Sequence, residues 1–286
     1  MNIEFINDAY TTDGLKLPMV HFESQEKDIC VLCVHGMCGT IVDNYFATVW
    51  GKLLAEKNIG FIYEHNRGHS IENDIVMEDE SFKRYGCMYE IFEECIYDID
   101  LAINTAKRKG YKRIVLLGHS LGCNKVIYYY FKKHPDILGI ILASAPDMIG
   151  SHTDIQTDYE ELLEEAKENI ENGESSKLLH KIVEDYMYMS SGTYYNWFCK
   201  NSNLDNLPVL ENPKHWIQFK TIDVPILTFS GSREEEYYLH LDLLKEKALS
   251  CPAFEYKVID DIGHTYRDKE KEIASLISGW IEKNFK

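Results

Sequence analysis

An α/β fold with a mostly parallel central sheet and helices on both faces is the architecture that the sequence predicts. The chain has 286 residues, of which 45% are hydrophobic, and this is enough for one large core. Short runs rich in Val, Ile and Leu alternate with longer segments in which apolar residues recur at helical spacing. This alternation is typical of parallel strands that are joined by helices.

The predicted strands are short and apolar throughout, as expected for strands that are buried on both faces. They cover residues 29–35, 60–64, 113–118, 138–144, 224–230 and 255–260. The predicted helices cover residues 45–57, 88–109, 120–134 and 268–284. Cys30 and Cys33 fall in the first strand, where residues three apart point to opposite faces. Their Cys-x-x-Cys spacing therefore predicts core packing rather than a metal site.

One long segment, residues 148–222, interrupts the alternation. It shows no apolar strand, and it contains an acidic helical stretch at 158–171 followed by a cluster of aromatic residues between Tyr186 and Phe198. We interpret it as a helical cap or lid inserted into a core made of residues 1–147 and 223–286. A cap that never moves, with its aromatic side chains packed on the core, is an equally simple interpretation.

Charge and composition exclude several classes of partner. The net charge of −17 disfavours nucleic acid and anionic membrane surfaces. No uncharged apolar run approaches the roughly 18 residues that a membrane span needs. The first residues lack a basic, apolar leader, so we expect a cytoplasmic protein in which most of the eight cysteines are free. Whether the chain forms a homo-oligomer is left open by the sequence.

The segment Gly118–Gly122 carries the pattern Gly-x-Ser-x-Gly, with Ser120 at its centre. The pattern alone is common, and it would also suit a plain glycine-rich loop. Here, however, a predicted strand enters it and a predicted helix leaves it, which is the setting of a nucleophile elbow. A turn this tight has no room for side chains two residues before and after the nucleophile. The sequence therefore predicts Ser120 as a catalytic nucleophile.

With this motif in its strand–turn–helix setting, the sequence resembles the α/β-hydrolase superfamily of serine esterases and lipases, over nearly all of the chain except the insertion. The resemblance implies an oxyanion hole made by two backbone amides. One is that of Leu121, directly after the nucleophile. The other is that of Met37, because His35-Gly36 matches the oxyanion dipeptide of the superfamily. No cofactor and no metal is expected.

The resemblance also implies a histidine base after the last strand and an acid after the strand before it. His264 is the only histidine between the last predicted strand and the last helix. Glu234 lies three residues after Gly231, where the superfamily usually has aspartate. Glu235 is its neighbour and first rival, and Asp147 occupies a position that some lipases use for the acid.

A carboxylesterase-like serine hydrolase acting on a small-molecule acyl substrate, an ester or a thioester, is the predicted function. The loop His35–Gly39 together with the elbow is similar to a branch of the superfamily that includes siderophore esterases. A peptidase, lactonase or acyltransferase would use the same residues. A ligand receptor on the same fold would keep the residues without the chemistry.

Overall fold

An eight-stranded sheet forms the centre of the structure, a computed structural model that describes residues 2–210 and 216–286. The strands of the chain are β1 (Asn2–Ile6), β2 (Met19–Glu23), β3 (Ile29–Val34), β4 (Ile59–Glu64), β5 (Asn73–Val76), β6 (Phe82–Tyr85), β7 (Arg113–His119), β8 (Gly139–Ala143), β9 (Ile226–Gly231) and β10 (Phe254–Ile259). The sheet order is β1-β2-β4-β3-β7-β8-β9-β10, and β5 pairs with β6 in a separate hairpin. β2 runs antiparallel to both of its neighbours, and all pairs from β4 to β10 are parallel.

Helices cover both faces of this sheet. The described helices are α1 (Tyr45–Glu56), α2 (Cys95–Arg108), α3 (Leu121–Lys133), α4 (Met148–Ile155), α5 (Tyr159–Glu171), α6 (Ser191–Phe198), α7 (Leu241–Lys247) and α8 (Glu270–Phe285). Side chains of α1 and α8 share one apolar cluster with one face of the sheet, and those of α2, α3 and α7 share a second cluster with the other. None of the helices in the described ranges is long and apolar enough to cross a membrane.

The predicted α/β class is confirmed, and each of the six predicted strands is present within about two residues of its expected bounds. The strands β1, β2, β5 and β6 and the helix α7 were not predicted, and α4 and α6 were covered only by the prediction of a helical insertion. β1 is an edge strand whose residues are mostly exposed, and the β5–β6 hairpin is likewise largely exposed. The helix predicted over 88–109 begins only at Cys95, since residues 87–94 form two short 3-10 turns instead.

The first predicted strand shows the expected alternation of its side chains. Cys30 packs in the cluster beneath α2 and α3, whereas Cys33 packs in the cluster beneath α1 and α8. Burial raises the pKa of both thiols. The two sulfur atoms lie on opposite faces of the sheet. Each thiol therefore packs in its own apolar cluster, and the two cannot bind one ligand together.

The segment between β8 and β9 is helical, with α4, α5 and α6 in its described part. Its apolar cluster includes Trp197 and Phe198 and reaches the elbow helix at Leu121 and Tyr128. Tyr186 and Tyr188, by contrast, are 56% and 42% exposed, so only part of the aromatic cluster packs inward. Residues 211–215 of the predicted insertion and Met1 lie outside the described residues, and the bounds of the insertion remain a prediction.

A buried ion cluster fixes the loop after β4 against α2. The guanidinium of Arg67 donates to Asp98 over 2.8 Å and 3.0 Å, and neither side chain is exposed. Asp98 also accepts the backbone N–H of Arg67 at 3.0 Å. Asp13 and Glu94, which are partly exposed, form ion pairs with a terminal nitrogen of the same guanidinium. The cluster neutralises a cation that the core could not otherwise hold.

We expect Asp98→Ala to lower the free energy of unfolding by about 3 kcal/mol, because it leaves part of a buried guanidinium unpaired. Asp74→Ala is the matched control, since Asp74 binds Arg84 at the surface with both side chains more than half exposed. The control should change stability by less than about 0.5 kcal/mol. Urea unfolding of both variants makes the measurement, and equal losses would contradict the assigned importance of the buried pair.

Candidate active site

Ser120 occupies the turn between β7 and α3. Its backbone has φ 56° and ψ −131°, a conformation that costs energy for a residue with a side chain and is kept only where the surroundings enforce it. Two hydrogen bonds do so: the Ser120 N–H donates to the carbonyl of Ala143 at 2.9 Å, and the Ser120 carbonyl accepts from Cys123 at 2.8 Å. The strained turn holds the serine at the N-terminus of α3, at the carboxyl edge of the sheet.

Three glycines allow this turn to form. A Cβ on Gly118 would lie 2.5 Å from the backbone nitrogen of Cys123, and one on Gly122 would lie 2.1 Å from the carbonyl oxygen of Val34. A Cβ on Gly36, in the loop after β3, would lie 2.7 Å from the Cβ of Ser120. The backbone of that loop is therefore in direct contact with the serine.

The loop His35–Met37 is held in place by its histidine. The His35 ring is buried; its Nδ1–H donates to the carbonyl of Gly36 at 2.7 Å, and its Nε2 accepts the backbone N–H of Asn66 at 3.1 Å. Burial keeps the pKa of His35 well below its usual range, which agrees with a neutral ring. The Asn66 amide also donates to the His35 carbonyl at 3.2 Å. Through these bonds the segment after β4 supports the loop beside Ser120.

The same asparagine connects this loop to the elbow helix. The Oδ1 of Asn66 accepts a hydrogen bond from the ammonium of Lys125 at 3.2 Å, and Lys125 also pairs with Glu90. Both charged side chains are completely buried. Lys125 lies on α3, five residues after Ser120. One buried network therefore links the helix of Ser120 with the loop of Gly36.

His264 lies in the loop between β10 and α8, and its side chain is 34% exposed. Its ring stands 4.7 Å from that of His119, whose Nε2 is 3.1 Å from the His264 carbonyl oxygen. Complete burial holds the pKa of His119 well below its usual range. A neutral His119 can donate from Nε2 to this carbonyl, so the residue before Ser120 anchors the loop that carries His264.

Glu234 is the candidate acid that lies beside His264. Its Oε1 is 3.7 Å from the His264 Nδ1, and its side chain is fully buried. Oε1 also accepts a hydrogen bond from the Ser144 hydroxyl at 2.7 Å. Within the described ranges, Glu234 Oε2 and His264 Nδ1 are buried without a hydrogen-bond partner. Hydrogen bonds of this kind are often long without substrate, so a shift of less than 1 Å would join the pair.

The two rival carboxylates have different surroundings. Glu235 is exposed at the start of a short 3-10 helix. Asp147 is buried and caps α4, accepting the backbone N–H of Gly150 at 2.8 Å and that of Leu210 at 2.9 Å. Both of its oxygens are thus engaged in holding the helical segment, in the manner of an N-cap.

Sequence reasoning missed three polar residues of this site. Ser144 binds Glu234, and Tyr266 is hydrogen-bonded to the Ser144 hydroxyl. Tyr238 has its ring 4.9 Å from the ring of His264. None of the three has a motif of its own. Their place in the site follows from how the loops after β8, β9 and β10 meet at one edge of the sheet.

A narrow apolar pocket adjoins the site at Met37. Its walls come mainly from the helical segment between β8 and β9 and carry three more methionines and several aromatic rings. It is lined by Met37, Met148, Val183, Glu184, Tyr186, Met187, Met189, Trp197 and Phe198. Methionine side chains are flexible and polarizable, so such a wall can adjust to the shape of an apolar ligand.

We expect Gly122→Ala to lower the free energy of unfolding by about 3 kcal/mol, because the added carbon must displace the Val34 carbonyl from a packed backbone contact. Gly279→Ala is the matched control on α8, where a Cβ meets nothing within 4 Å. It should raise stability by about 1 kcal/mol through helix propensity. Both values come from urea unfolding, and a neutral Gly122→Ala would contradict the packing described here.

Comparison with known families and curated proteins gives one partial match. Residues 89–204 match a family described as "Protein of unknown function (DUF1749)". The matched region contains β7, the elbow and α3, and it spans less than half of the chain. No curated protein matches the sequence.

Solved structures give a match over the full length. Est1E from Butyrivibrio proteoclasticus, with ferulic acid bound, is 14% identical, with 98% of each chain covered and a TM-score of 0.65. The α/β hydrolase GrgF from Penicillium sp. sh18 is 14% identical, with 99% of each chain covered and a TM-score of 0.69. An esterase from Pyrococcus furiosus is 15% identical and covers 100% of this chain and 92% of its own, with a TM-score of 0.64. This likeness and the strand order establish that the chain has the α/β-hydrolase fold.

Proposed function

We propose that the chain is a serine hydrolase that cleaves carboxylic esters or thioesters through an acyl-enzyme on Ser120. The observation that carries the proposal is the strained turn at Ser120, with the Gly36 loop packed against it and the His264–Glu234 pair at the same edge of the sheet. A backbone strained at one serine, beside a histidine that faces a buried carboxylate, suits an activated nucleophile.

In the first half of the reaction, His264 takes the proton of Ser120, and the serine oxygen attacks the acyl carbonyl. The alcohol or thiol leaves with a proton from His264. In the second half, water attacks the acyl-enzyme with His264 again as the base, and the acid product departs. The chain order Ser120, Glu234, His264 is the order in which this fold uses nucleophile, acid and base.

The negative charge on the carbonyl oxygen needs donors that are already in position. We assign them to the backbone N–H groups of Leu121 and Met37. Leu121 is the first residue of α3, where helical N–H groups have no partner within the helix and the dipole favours an anion. Met37 follows Gly36, whose backbone is in contact with Ser120. Amides held in this way stabilise an oxyanion without having to reorganise.

We assign Glu234 as the acid that orients His264. Its distance of 3.7 Å and its burial support the assignment, whereas Asp147 is engaged at the start of α4 and Glu235 is exposed. Glutamate reaches one carbon further than the usual aspartate. The hydrogen bond from Ser144 to Oε1 holds the longer side chain in position.

The apolar lining of the pocket at Met37 suggests an acyl group that is apolar. Est1E, which shares the fold, was solved with ferulic acid, an aromatic acid. We propose residues 148–222 as the cap that shapes this pocket, and the carboxylesterase class as the activity. The described cysteines are free, which supports a cytosolic location. Membership of the siderophore-esterase branch stays a prediction.

We expect Ser120→Ala to abolish hydrolysis of every substrate that the native chain cleaves, with at least a 10³-fold loss of kcat/KM, because the covalent step is lost. The measurement is a panel of esters, thioesters, lactones and aminoacyl amides with matched acyl groups. The panel also separates an esterase from a lactonase or peptidase. A fluorophosphonate probe should label the native chain and not the variant. A native chain that binds acyl ligands but reacts with neither probe nor panel would instead be a receptor.

We expect Glu234→Gln to lower kcat about 10³-fold, since the neutral amide no longer stabilises the imidazolium of His264. Glu235→Gln is the matched control, one residue away and exposed, and it should stay within about twofold of the native rate. Asp147→Asn tests the second rival. A greater loss of kcat in Asp147→Asn than in Glu234→Gln, at equal thermal stability, would transfer the role of the acid to Asp147.

A further inference from the structure

The turn at residues 183–187, in the helical segment between β8 and β9, forms much of the wall of the apolar pocket at Met37. Its two central residues, Glu184 and Asp185, both have φ 53°, a left-handed conformation that is uncommon for residues with a side chain. The N–H of Tyr186 closes the turn by donating to the Val183 carbonyl at 2.9 Å. Four of the described residues that line the pocket belong to this turn: Val183, Glu184, Tyr186 and Met187.

Glu184 is fastened to the interior of the helical segment. Its Oε1 accepts a hydrogen bond from the Nδ1–H of His152 at 2.7 Å, and the His152 side chain is completely buried. The Nε2 of His152 lies 2.9 Å from the Tyr194 hydroxyl, and its ring stacks on that of Phe198 at 3.7 Å. The backbone N–H of Glu184 donates to the side-chain oxygen of Gln156 at 2.7 Å. Side chain and backbone are thus both fixed in place.

Glu184 also separates two cavities. The apolar pocket lies on one side of it, and a polar groove that includes Asp158 and Lys181 lies on the other, among exposed residues. Of the described residues, Glu184 is the only one that lines both. The pocket has a cavity volume of about 10 Å³, room for about one water molecule, whereas that of the groove is about 430 Å³. Loss of the Glu184 side chain would therefore join the pocket to the groove.

Resting on the serine-hydrolase function, we propose that Glu184 determines the acyl specificity: its side chain, held by His152, closes the end of the acyl pocket and limits the substrate to short acyl groups such as acetyl. Met37, to which we assign an oxyanion N–H, lines the same pocket, so the carbon chain of the acyl group enters there. Flexible methionine side chains can make room for a short group. A longer chain must displace the Glu184 carboxylate and leave the buried N–H of His152 unpaired, which is costly.

A series of p-nitrophenyl esters with acetyl, butanoyl, octanoyl and decanoyl groups tests this limit. For the native chain we expect kcat/KM to fall at least about tenfold from acetyl to octanoyl. Glu184→Ala should raise the octanoyl-to-acetyl ratio of kcat/KM at least about tenfold, because each methylene that gains burial is worth roughly fourfold. Glu184→Gly removes the same side chain and relieves the left-handed backbone, so it should give the same change. A general loss of stability lowers both rates together and leaves their ratio unchanged.

Glu165→Ala is the matched control. Glu165 also pairs with a histidine of the helical segment, His180, and its side chain is 24% exposed against 23% for Glu184, but it does not belong to the described lining of the pocket. The octanoyl-to-acetyl ratio of this variant should equal the native ratio. Glu184→Gln keeps the length of the side chain and an oxygen for His152, so its ratio should stay within about twofold of the native one.

Three results would overturn the proposal: a native chain that prefers octanoyl to acetyl, Glu184→Ala or Glu184→Gly with the native ratio and an intact thermal melt, or a ratio in Glu184→Gln as high as in Glu184→Ala. The profile of the native chain decides the matter even if neither truncated variant folds. A chain that cleaves no ester and is not labelled by fluorophosphonate contradicts the hydrolase function itself and overturns this inference with it. An active chain with the wrong dependence on acyl length contradicts the inference alone.

Discussion

The close approach of two backbone segments, the elbow after β7 and the loop after β3, is the contact on which the rest of the site depends. An added carbon on Gly36 would lie 2.7 Å from Ser120, one on Gly122 would lie 2.1 Å from Val34, and one on Gly118 would lie 2.5 Å from Cys123 within the elbow itself. Only glycine fits such contacts, and only this spacing brings the N-terminus of α3 beside the loop that carries Met37. The strained conformation of Ser120 is the local cost of that approach.

A buried polar network fixes the elbow after β7 and the loop after β3 relative to each other. Lys125 on the elbow helix binds Asn66 and Glu90, and Asn66 in turn holds His35. Buried charges gain little net stability from pairing, but removal of one partner is costly, so a network of this kind resists rearrangement. Its effect here is positional. The helix that follows Ser120 and the loop that carries Met37 cannot move independently while these bonds persist.

The acid side of the site shows how a longer carboxylate can be accommodated. Glu234 stands where the superfamily usually has aspartate, and the extra carbon gives its side chain one more rotatable bond. Ser144, itself bonded to Tyr266, fixes Oε1, which is also the oxygen 3.7 Å from the His264 Nδ1. The loop that follows carries Tyr238 back over the imidazole. A single turn after β9 thus supplies an acid candidate and an aromatic ring that packs on His264.

The sequence by itself determined the α/β class, the six buried strands and the elbow, because each depends on local signals: apolar runs, helical periodicity, and glycines at fixed distances from Ser120. His264 could be chosen by its place after the last strand. By its position the sequence favoured Glu234 over Asp147 and Glu235, but it could not show which carboxylate the folded loops bring to His264. Nor could it identify Ser144 or Tyr238, which lie far from His264 in the sequence and have no motif of their own. Only the tertiary structure shows Glu234, Ser144 and Tyr238 near His264, because parallel strands bring the ends of distant segments to one edge of the sheet.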